Sequence, residues 1–239
     1  MYRGLSVIMI APVLDEEAKI GQVVRRTPRD VVDEVLVVDD GSTDRSPDVA
    51  RELGATVLPM GRTVGVGAAL RAGYRYAVER GHDVVITIAG NNKDSPEEIP
   101  LLVDPIADDR ADFVQGSRFL KRDANFGPMP LYRRVATRVH PILFSLVARR
   151  WVTESTNGFR AIRTRVLADP RLDLSAAWLD EYELEPYLYL RVIRLGYRTA
   201  EVPVTKIYPA KKLGQTKMKP ITGWWSILRP LVYVGLGIR

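Results

Sequence analysis

Short runs of consecutive apolar residues alternate with segments of helical periodicity through the first half of the chain. The apolar runs lie at 5–11, 35–38, 55–58 and 83–88, and a further strand is predicted at 112–115. Continuous Val- and Ile-rich runs of this length are typical of parallel strands that are covered on both faces. Residues with helical spacing follow the first, second and fourth runs. The third run is followed by a glycine-bearing loop at 61–67, which leads into a helix. This alternation predicts an α/β fold with a doubly wound, mostly parallel sheet and helices on both faces.

The pattern changes after residue 119. A long stretch that is both apolar and Arg-rich predicts a helix at 131–152, and a second helix and a strand are expected at 180–195 and 197–205. The remainder is a basic loop followed by an apolar segment. We therefore expect one α/β domain over 1–219 and a C-terminal apolar tail over 220–239.

The apolar tail is short for a membrane span, since it has about 18 apolar-rich residues interrupted by Arg229-Pro230. Trp224 and Trp225 follow Lys217 and Lys219, a combination that favours a helix lying in the lipid headgroup zone. The alternative is a C-terminal helix docked on the domain.

Charge is distributed unevenly along the chain, whose formal net charge is +6. Five arginines and no acid occur between 128 and 153, and ten basic residues against the single acid Glu201 occur from Arg191 onward. A basic C-terminal half indicates an anionic partner: phosphate, nucleic acid or a membrane surface. The chain has no cysteine and only two histidines, which excludes thiolate and His-cluster metal sites and fits a reducing compartment.

Carboxylates crowd the end of the second predicted strand, where Asp39-Asp40-Gly41-Ser42-Thr43-Asp44 follows four buried apolar residues. One of Ser42, Thr43 and Asp44 is expected to cap a helix that runs through Leu53. A helix cap needs one carboxylate and this turn has three, so we expect the others to bind a ligand. In open α/β sheets, ligands lie beyond the carboxyl ends of the strands. A strand–turn–helix corner without a ligand is the alternative.

Eight short motifs, several of them at predicted strand ends, resemble those of the family 2 glycosyltransferases with the GT-A fold, and most of all their dolichol- and polyprenyl-phosphate mannose synthase branch. The matching segments lie in order over about residues 6–217. They are Ala11-Pro12 with Glu16, Val37-Val38-Asp39-Asp40-Gly41-Ser42-Thr43-Asp44, Gly65 with Gly67-Ala68-Ala69, Gly116-Ser117-Arg118, Asn157-Gly158-Phe159-Arg160, Tyr182-Glu183-Leu184-Glu185, Glu201-Val202-Pro203-Val204 and Gly214-Gln215-Thr216-Lys217.

The resemblance implies a set of site residues. Those implied for nucleotide binding are Pro12, Glu16, Asp39, Asp40 and Gly67. Those implied for the acceptor phosphate are Arg118, Arg133, Arg134, Lys211 and Lys217, because Arg forks and Lys point charges suit phosphate oxygens. The catalytic candidates are Lys93, Arg118, Asn91 and Asp94.

The chain departs from the family pattern in the turn after the 83–88 strand. The resemblance implies Asp-x-Asp-x-Gln there, holding Mg²⁺ or Mn²⁺, but the corresponding residues are Ala89, Asn91 and Lys93. Hard divalent ions prefer anionic oxygen ligands, which leaves only Asn91 and Asp94 as weak metal candidates. Mg²⁺ or Mn²⁺ therefore stays an open cofactor. Our hypothesis is that the Lys93 ammonium does part of the metal's work, and an inactive, degenerate site is the rival interpretation.

The expected reaction follows from the resemblance: inverting transfer of a mannose- or glucose-type hexose from a GDP- or UDP-sugar to a polyprenyl or dolichyl phosphate. A phosphate monoester is already anionic near pH 7, so the lack of an obvious general base is no objection. The expected protein is peripheral on the cytoplasmic face of a membrane and does not bind nucleic acid. The alternatives are transfer to a sugar hydroxyl in glycan assembly, or an inactive nucleotide-sugar or lipid-phosphate binding protein.

Overall fold

A single mixed sheet organises the computed structural model, which describes residues 1–121, 126–129, 131–208 and 222–238. Within these residues the sheet has seven strands in the order β3-β2-β1-β4-β6-β5-β7. The strands are β1 (Val7–Val13), β2 (Glu34–Asp39), β3 (Thr56–Pro59), β4 (Val84–Thr87), β5 (Phe113–Ser117), β6 (Arg160–Arg163) and β7 (Thr199–Pro203). Strand β6 is antiparallel to both of its neighbours, and the other pairings are parallel. The predicted doubly wound, mostly parallel sheet is confirmed.

Helices cover both faces of the sheet. They are α1 (Glu17–Arg26), α2 (Ser46–Glu52), α3 (Val66–Glu79), α4 (Ile99–Ala107), α5 (Leu131–Ala148), α6 (Thr164–Leu167), α7 (Leu184–Arg194) and α8 (Thr222–Gly235). Alternate residues of a strand point to opposite faces, so Ile8 and Ile10 pack with α3 and α7 while Val7 and Met9 pack with α1 and α4. Two apolar cores result, one on each side of the sheet.

Strand β6 is not among the strands that the sequence predicts. Its four residues, Arg-Ala-Ile-Arg, include only two apolar side chains, too few to form a continuous apolar run like those of the other central strands. It enters the sheet between β4 and β5, where it pairs with Val84–Thr87 on one side and Phe113–Gln115 on the other. The buried Arg160 thereby lies at the same sheet edge as the carboxyl ends of the parallel strands.

The prediction that Ser42, Thr43 or Asp44 caps the helix after β2 was wrong. Helix α2 begins at Ser46, and its N-cap residue, Arg45, makes no side-chain capping bond. Asp44 instead accepts hydrogen bonds from the backbone of Ser46 (2.9 Å) and of Glu17 (3.0 Å), which ties the starts of α1 and α2 together. One of the three carboxylates of this turn is therefore structural.

Helix α8 of the C-terminal tail is docked on the domain. Ile227, Leu231 and Val234 are buried, the last two in the core that also contains residues of α5 and α7. Arg229 donates to the Glu183 carboxylate at 2.5 Å, just before α7. No helix among the described residues is long and apolar enough to cross a bilayer. The domain boundary that we predict at 219/220 lies outside the described residues.

Asp112, immediately before β5, is expected to stabilise the edge of the sheet opposite the polar strand ends. It is 4% exposed and accepts hydrogen bonds from Arg165 (2.5 Å) and Arg198 (3.2 Å). Burial opposes its ionisation, but the hydrogen bonds from the two arginines outweigh burial and lower the pKa of Asp112 to about 2. We expect Asp112→Asn to lower the free energy of unfolding at pH 7, because the charged hydrogen bonds to the two arginines are lost. The loss should be only about 1–2 kcal/mol, since both arginines are partly exposed and screened by solvent.

The pH dependence of this loss has a definite sign. The pKa of Asp112 in the folded state lies below its value in the unfolded state. The contribution of ionised Asp112 to the free energy of unfolding is therefore complete above about pH 4 and is lost as the pH falls towards 2. Urea unfolding at pH 7, 4 and 3 should show the difference between the two proteins shrinking as the pH falls. Asp109→Asn is the matched control, since Asp109 contacts Arg198 but its side chain is 71% exposed. An equal loss in both variants would contradict the role of burial.

Candidate active site

The carboxyl ends of strands β1, β2 and β4 lie at one edge of the sheet. Val13 pairs with Asp39 at the end of β2, and Ile10 pairs with Thr87 at the end of β4. The backbone of Gly90 then donates to the carbonyl oxygen of Pro12 at 3.4 Å. Pro12 of β1, Asp39 of β2 and the turn after β4 that contains Asn91 therefore lie close together. Their positions after predicted strands in the sequence led us to expect this.

Asp39 and Asp40 are both nearly buried at this edge. Asp39 accepts a hydrogen bond from the backbone of Ser42 at 3.0 Å. Asp40 accepts from the backbone of Val64 (2.7 Å) and of Gly65 (3.1 Å). Burial raises the pKa of Asp40 against the effect of these backbone donors, and the neighbouring Asp39 adds to the rise. Asp40 thus fixes the loop that precedes α3, in addition to the nucleotide role that we predict for it.

The glycines of that loop allow it to lie directly against a segment from the second half of the chain. Gly65 has φ +102°, and the backbone of Ala68 donates to the carbonyl oxygen of Asp180 at 3.0 Å. A Cβ atom on Gly67 would lie 2.5 Å from the carbonyl oxygen of Glu181 and closer still to that of Leu179. Gly67 is therefore required for packing, which is a structural reason for a glycine at a position where we predict nucleotide binding.

The turn after β4 does not provide a set of ligands for a divalent cation. Ala89 has no side-chain oxygen, and the Asn91 carboxamide oxygen accepts from the backbone of Lys93 at 3.2 Å. Asp94 is 2% exposed, and both of its oxygens accept from the Lys206 ammonium, at 2.7 and 2.8 Å. Within the described parts of the chain, His and acidic side chains form no cluster that could hold a metal ion. The chemistry of these groups does not fit Mg²⁺ or Mn²⁺.

Lys93 is half-buried beside other cations. Burial lowers the pKa of its ammonium to about 8, and the positive charges of Lys206, Arg133 and Lys19 contribute further. Its Nζ atom lies 5.4 Å from the ring centre of Tyr208, and the Arg133 guanidinium lies 5.8 Å from the same ring. Tyr208 thereby brings a cation from the β4 turn next to a cation from α5.

Arg118 lies at the end of β5, as predicted, but its charge is already matched. It is 1% exposed, and its Nε atom donates to Glu154 at 2.6 Å. Its two Nη atoms donate to the hydroxyls of Tyr208 (3.0 Å) and Thr156 (3.3 Å). Glu154 is itself fully buried and also accepts from the backbone of Ser155 and Thr156. Arg118 therefore holds the wall of the site rigidly.

A cavity opens from this basic region towards α5 and α8 and measures about 740 Å³, including the part open to solvent. Its polar lining includes Arg118, Arg133, Thr137, Tyr182, Glu185 and Tyr208, and its apolar lining includes Tyr132, Trp224 and Ile227. Arg134, which we predict to bind the acceptor phosphate, is exposed on α5 and is not one of the lining residues among those described. Lys211 and Lys217 lie outside the described residues, and their predicted role stays untested.

Several residues of this region were missed by the sequence analysis: Glu154, Thr137, Lys206, Tyr208 and Lys19. For Lys206 and Tyr208 a signal was available, because they directly follow the strand β7, which is parallel to β5 and ends at the same edge. Glu154 gave no such signal, since it lies in a polar loop between α5 and β6.

Comparison with known proteins gives a consistent set of matches. The family model described as Glycosyl transferase family 2 matches residues 8–170. The chain is 32% identical to an undecaprenyl-phosphate mannosyltransferase of Micrococcus luteus over 221 residues, covering 90% of this chain and 88% of the relative. It is also 32% identical to a dolichyl-phosphate hexose transferase of Haloferax volcanii over 243 residues, covering 100% and 96%.

Among solved structures, glucosyl-3-phosphoglycerate synthase from Mycobacterium tuberculosis, in complex with Mn²⁺ and uridine-diphosphate-glucose, superposes with a TM-score of 0.70 at 22% identity. The match covers 98% of this chain and 79% of that one. This likeness confirms the predicted GT-A fold.

We predict that Gly67→Ala destabilises the protein, because the added methyl group meets backbone oxygens that cannot move independently of the 179–181 turn. Overpacking of this kind is expected to cost about 2 kcal/mol and to lower Tm by about 4–8 °C. Gly235→Ala is the control, since its added methyl group meets only the Val147 side chain, at 3.3 Å. Differential scanning calorimetry of both variants would measure the effect, and an unchanged Tm for Gly67→Ala would contradict the close packing.

Proposed function

Because the chain belongs to glycosyl transferase family 2, we propose that it transfers a hexose from a nucleotide sugar to a polyprenyl phosphate. The observation that carries the proposal is the cavity described above, which is lined by Arg118 and Tyr208, after β5 and β7, and by residues of the helices α5 and α8. The named relatives, an undecaprenyl-phosphate mannosyltransferase and a dolichyl-phosphate hexose transferase, support the same class of acceptor.

The lining of the cavity suits an amphiphilic phosphate. Arg133 and Thr137 line the cavity with a guanidinium and a hydroxyl, as does the fixed Arg118. Towards α8, Trp224 and Ile227 supply apolar surface. A lipid phosphate has this order of groups, with a charged head and an apolar chain, whereas the hydroxyl of a glycan would need polar contacts along the whole cavity.

The donor would lie across the ends of β1, β2 and β4. Carboxylates of Glu16, Asp39 and Asp40 accept hydrogen bonds from base N–H groups or ribose hydroxyls, and both guanine and uracil provide such donors. The base is therefore left open between GDP and UDP, as is the choice of a mannose- or glucose-type hexose. The mycobacterial structure of the same fold is a complex with uridine-diphosphate-glucose, which supports a nucleotide sugar as the donor.

The chemistry that these residues supply is positioning and charge stabilisation. The acceptor phosphate oxygen attacks the anomeric carbon of the hexose, and the bond from that carbon to the donor diphosphate breaks with inversion. The bonding electron pair leaves with the nucleoside diphosphate. No proton has to be removed from the acceptor, because its phosphate is already anionic near pH 7. Arg133 would hold this phosphate, while the Arg118–Glu154 pair keeps the wall of the cavity in place.

Helices α5 and α8 present an apolar surface that fits a membrane. We call the exposed apolar residues of these helices the apolar face, and it consists of Leu131, Tyr132, Val135, Val139, Ile142, Leu143, Leu146, Trp225, Val232 and Leu236. Exposed arginines of α5 (Arg134, Arg138) lie among them. Apolar and aromatic side chains flanked by arginine are typical of helices that lie in a lipid headgroup layer. The proposed location is the cytoplasmic face of a membrane, where the acceptor is embedded.

The proposed transfer can be tested with radiolabelled GDP-mannose, GDP-glucose and UDP-glucose and a short polyprenyl phosphate. We expect one donor class to give a lipid-soluble product whose sugar–phosphate bond is labile to mild acid. Arg133→Met should raise KM for the polyprenyl phosphate about 10- to 100-fold and change KM for the donor much less, because a charge-assisted contact to the acceptor is lost. Label appearing only in acid-stable glycan would contradict the proposed acceptor.

The apolar face can be tested by vesicle co-sedimentation. We expect the double variant Leu131→Ser, Leu146→Ser to bind phosphatidylglycerol-containing vesicles about 10-fold or more weakly, since two side chains that are 76% and 71% exposed would no longer enter the lipid. Leu101→Ser is the matched control, because Leu101 is 42% exposed on α4, away from this face. Equal binding by all three proteins would rule out docking through α5.

A further inference from the structure

Lys93, in the turn after β4, lies near three other cations. We call the four residues the cation cluster: Lys19, Lys93, Arg133 and Lys206. They come from α1, the β4 turn, α5 and the segment after β7. Burial is the main reason for the lowered pKa of the Lys93 ammonium, the charges of Lys206, Arg133 and Lys19 lower it further, and the Glu16 carboxylate opposes them. Like charges repel at this range, so a cluster of this kind is stable only if anions balance it.

Two of the four cations are balanced by carboxylates of the protein. Lys206 is held by both oxygens of Asp94 and by the Asn157 carboxamide oxygen at 2.9 Å. Lys19 is held by Glu16 at 2.7 Å. These two lysines are therefore part of the structure and already neutralised.

Lys93 and Arg133 have no such partner in the part of the chain that the structure describes. Each instead lies over the Tyr208 ring, whose hydroxyl is fixed by Arg118. Tyr208, which lines the cavity, thus lies beside two cations that make no carboxylate contact among the described residues. Two anionic reactants meet there in the proposed reaction, and Arg133, as a lining residue of the cavity, is on the acceptor side. Lys93, on the β4 turn, is on the donor side.

A divalent cation would be doubly disfavoured in the same place. The turn lacks carboxylate ligands because Ala89 and Asn91 have none and Asp94 is bound by Lys206. A metal ion near Asn91 would also be repelled by the Lys93 ammonium, two residues along the turn. The charge that the nucleoside diphosphate needs is therefore already present as part of the protein.

We propose that the Lys93 ammonium, positioned by Tyr208, takes the place of a divalent cation, so that this chain binds the diphosphate of its donor without metal. The inference rests on the proposed function, because it assigns the donor of that reaction to a particular cation. Lys93 would donate hydrogen bonds to the diphosphate oxygens and stay protonated while the bond to the anomeric carbon breaks. The developing charge on the leaving diphosphate is then stabilised without any proton transfer.

The test is isothermal titration of the full chain with UDP, GDP and inorganic phosphate, in EDTA and in millimolar Mn²⁺. We expect one nucleoside diphosphate to bind the unaltered protein with a Kd that differs by less than about threefold between the two conditions. Lys93→Met should weaken that binding about 10- to 100-fold in EDTA, while Lys93→Arg, which keeps the charge, should retain most of it. Lys121→Met is the matched control, since Lys121 is 46% exposed and pairs with Glu98.

A reciprocal variant tests the same assignment by a gain of metal binding. Ala89→Asp, Asn91→Asp, Lys93→Gln introduces two carboxylates and removes the cation, and should make nucleoside diphosphate binding depend on Mn²⁺. Thermal unfolding of each variant shows whether it is folded before its binding is compared.

The outcomes separate this inference from the proposed function. The inference would be overturned if the unaltered protein bound UDP or GDP only in Mn²⁺ and Lys93→Met behaved like Lys121→Met. The proposed transferase function would not be affected by that result. Loss of inorganic phosphate binding alone in Lys93→Met would also overturn the inference, because Lys93 would then serve the acceptor. Failure of every nucleoside diphosphate to bind in both conditions would overturn the proposed function and the inference with it.

Discussion

The ion pair between Asp94 and Lys206 determines how the site is built. Strands β4 and β7 are three positions apart in the sheet, a separation of roughly 14 Å at the usual strand spacing. The segments that follow them nevertheless meet over the ends of β6 and β5, and Asn157, just before β6, bonds to the same ammonium. A buried ion pair adds little net stability in general, but a displaced Lys206 would leave Asp94 uncompensated in the interior. The pair therefore selects one arrangement of the turn after β4, and in that arrangement Lys93 is directed towards Tyr208.

Helix α5 connects this arrangement to the surface of the protein. Its buried positions Thr137, His140 and Phe144 follow the helical repeat and face the core, and Leu131, Ile142 and Leu146 face outward. His140 bonds to the Ser155 hydroxyl at 2.7 Å and to the carbonyl oxygen of Ile227 at 3.0 Å, so it joins α5 to both the 153–157 loop and α8. Burial lowers the pKa of His140, which favours the neutral form that makes both bonds. A helix whose outer side carries exposed apolar residues thus holds the wall of the cavity with its other side.

The sequence was informative where the physics is local. A continuous apolar run has few alternatives to a buried parallel strand, and the parallel strands bring Pro12, Asp39 and Asn91 to one edge whatever the loops do. The sequence was less informative where a residue depends on a distant partner. The charge of Arg118 is matched by Glu154, 36 residues away in a polar loop, and no local pattern predicts that pairing. Strand β6 has too few apolar residues to be recognised, because its place in the sheet is decided by its two neighbours.

The same distinction explains why a substituted metal motif does not have to mean an inactive protein. Two anionic reactants repel each other, and some positive charge must offset that repulsion before they can reach bonding distance. A divalent ion supplies the charge through carboxylates on one turn, and those carboxylates are visible in a sequence. Protein cations supply it through residues from separate elements, here Lys93 of the β4 turn and Arg133 of α5, which become neighbours only when the chain folds around Tyr208. The carboxylates and the compensating cations are alternatives, since a lysine in the turn would repel the metal that the carboxylates are there to hold. In the proposed site, Lys93 therefore supplies the positive charge that the acidic pair implied by the family resemblance would supply through a metal ion.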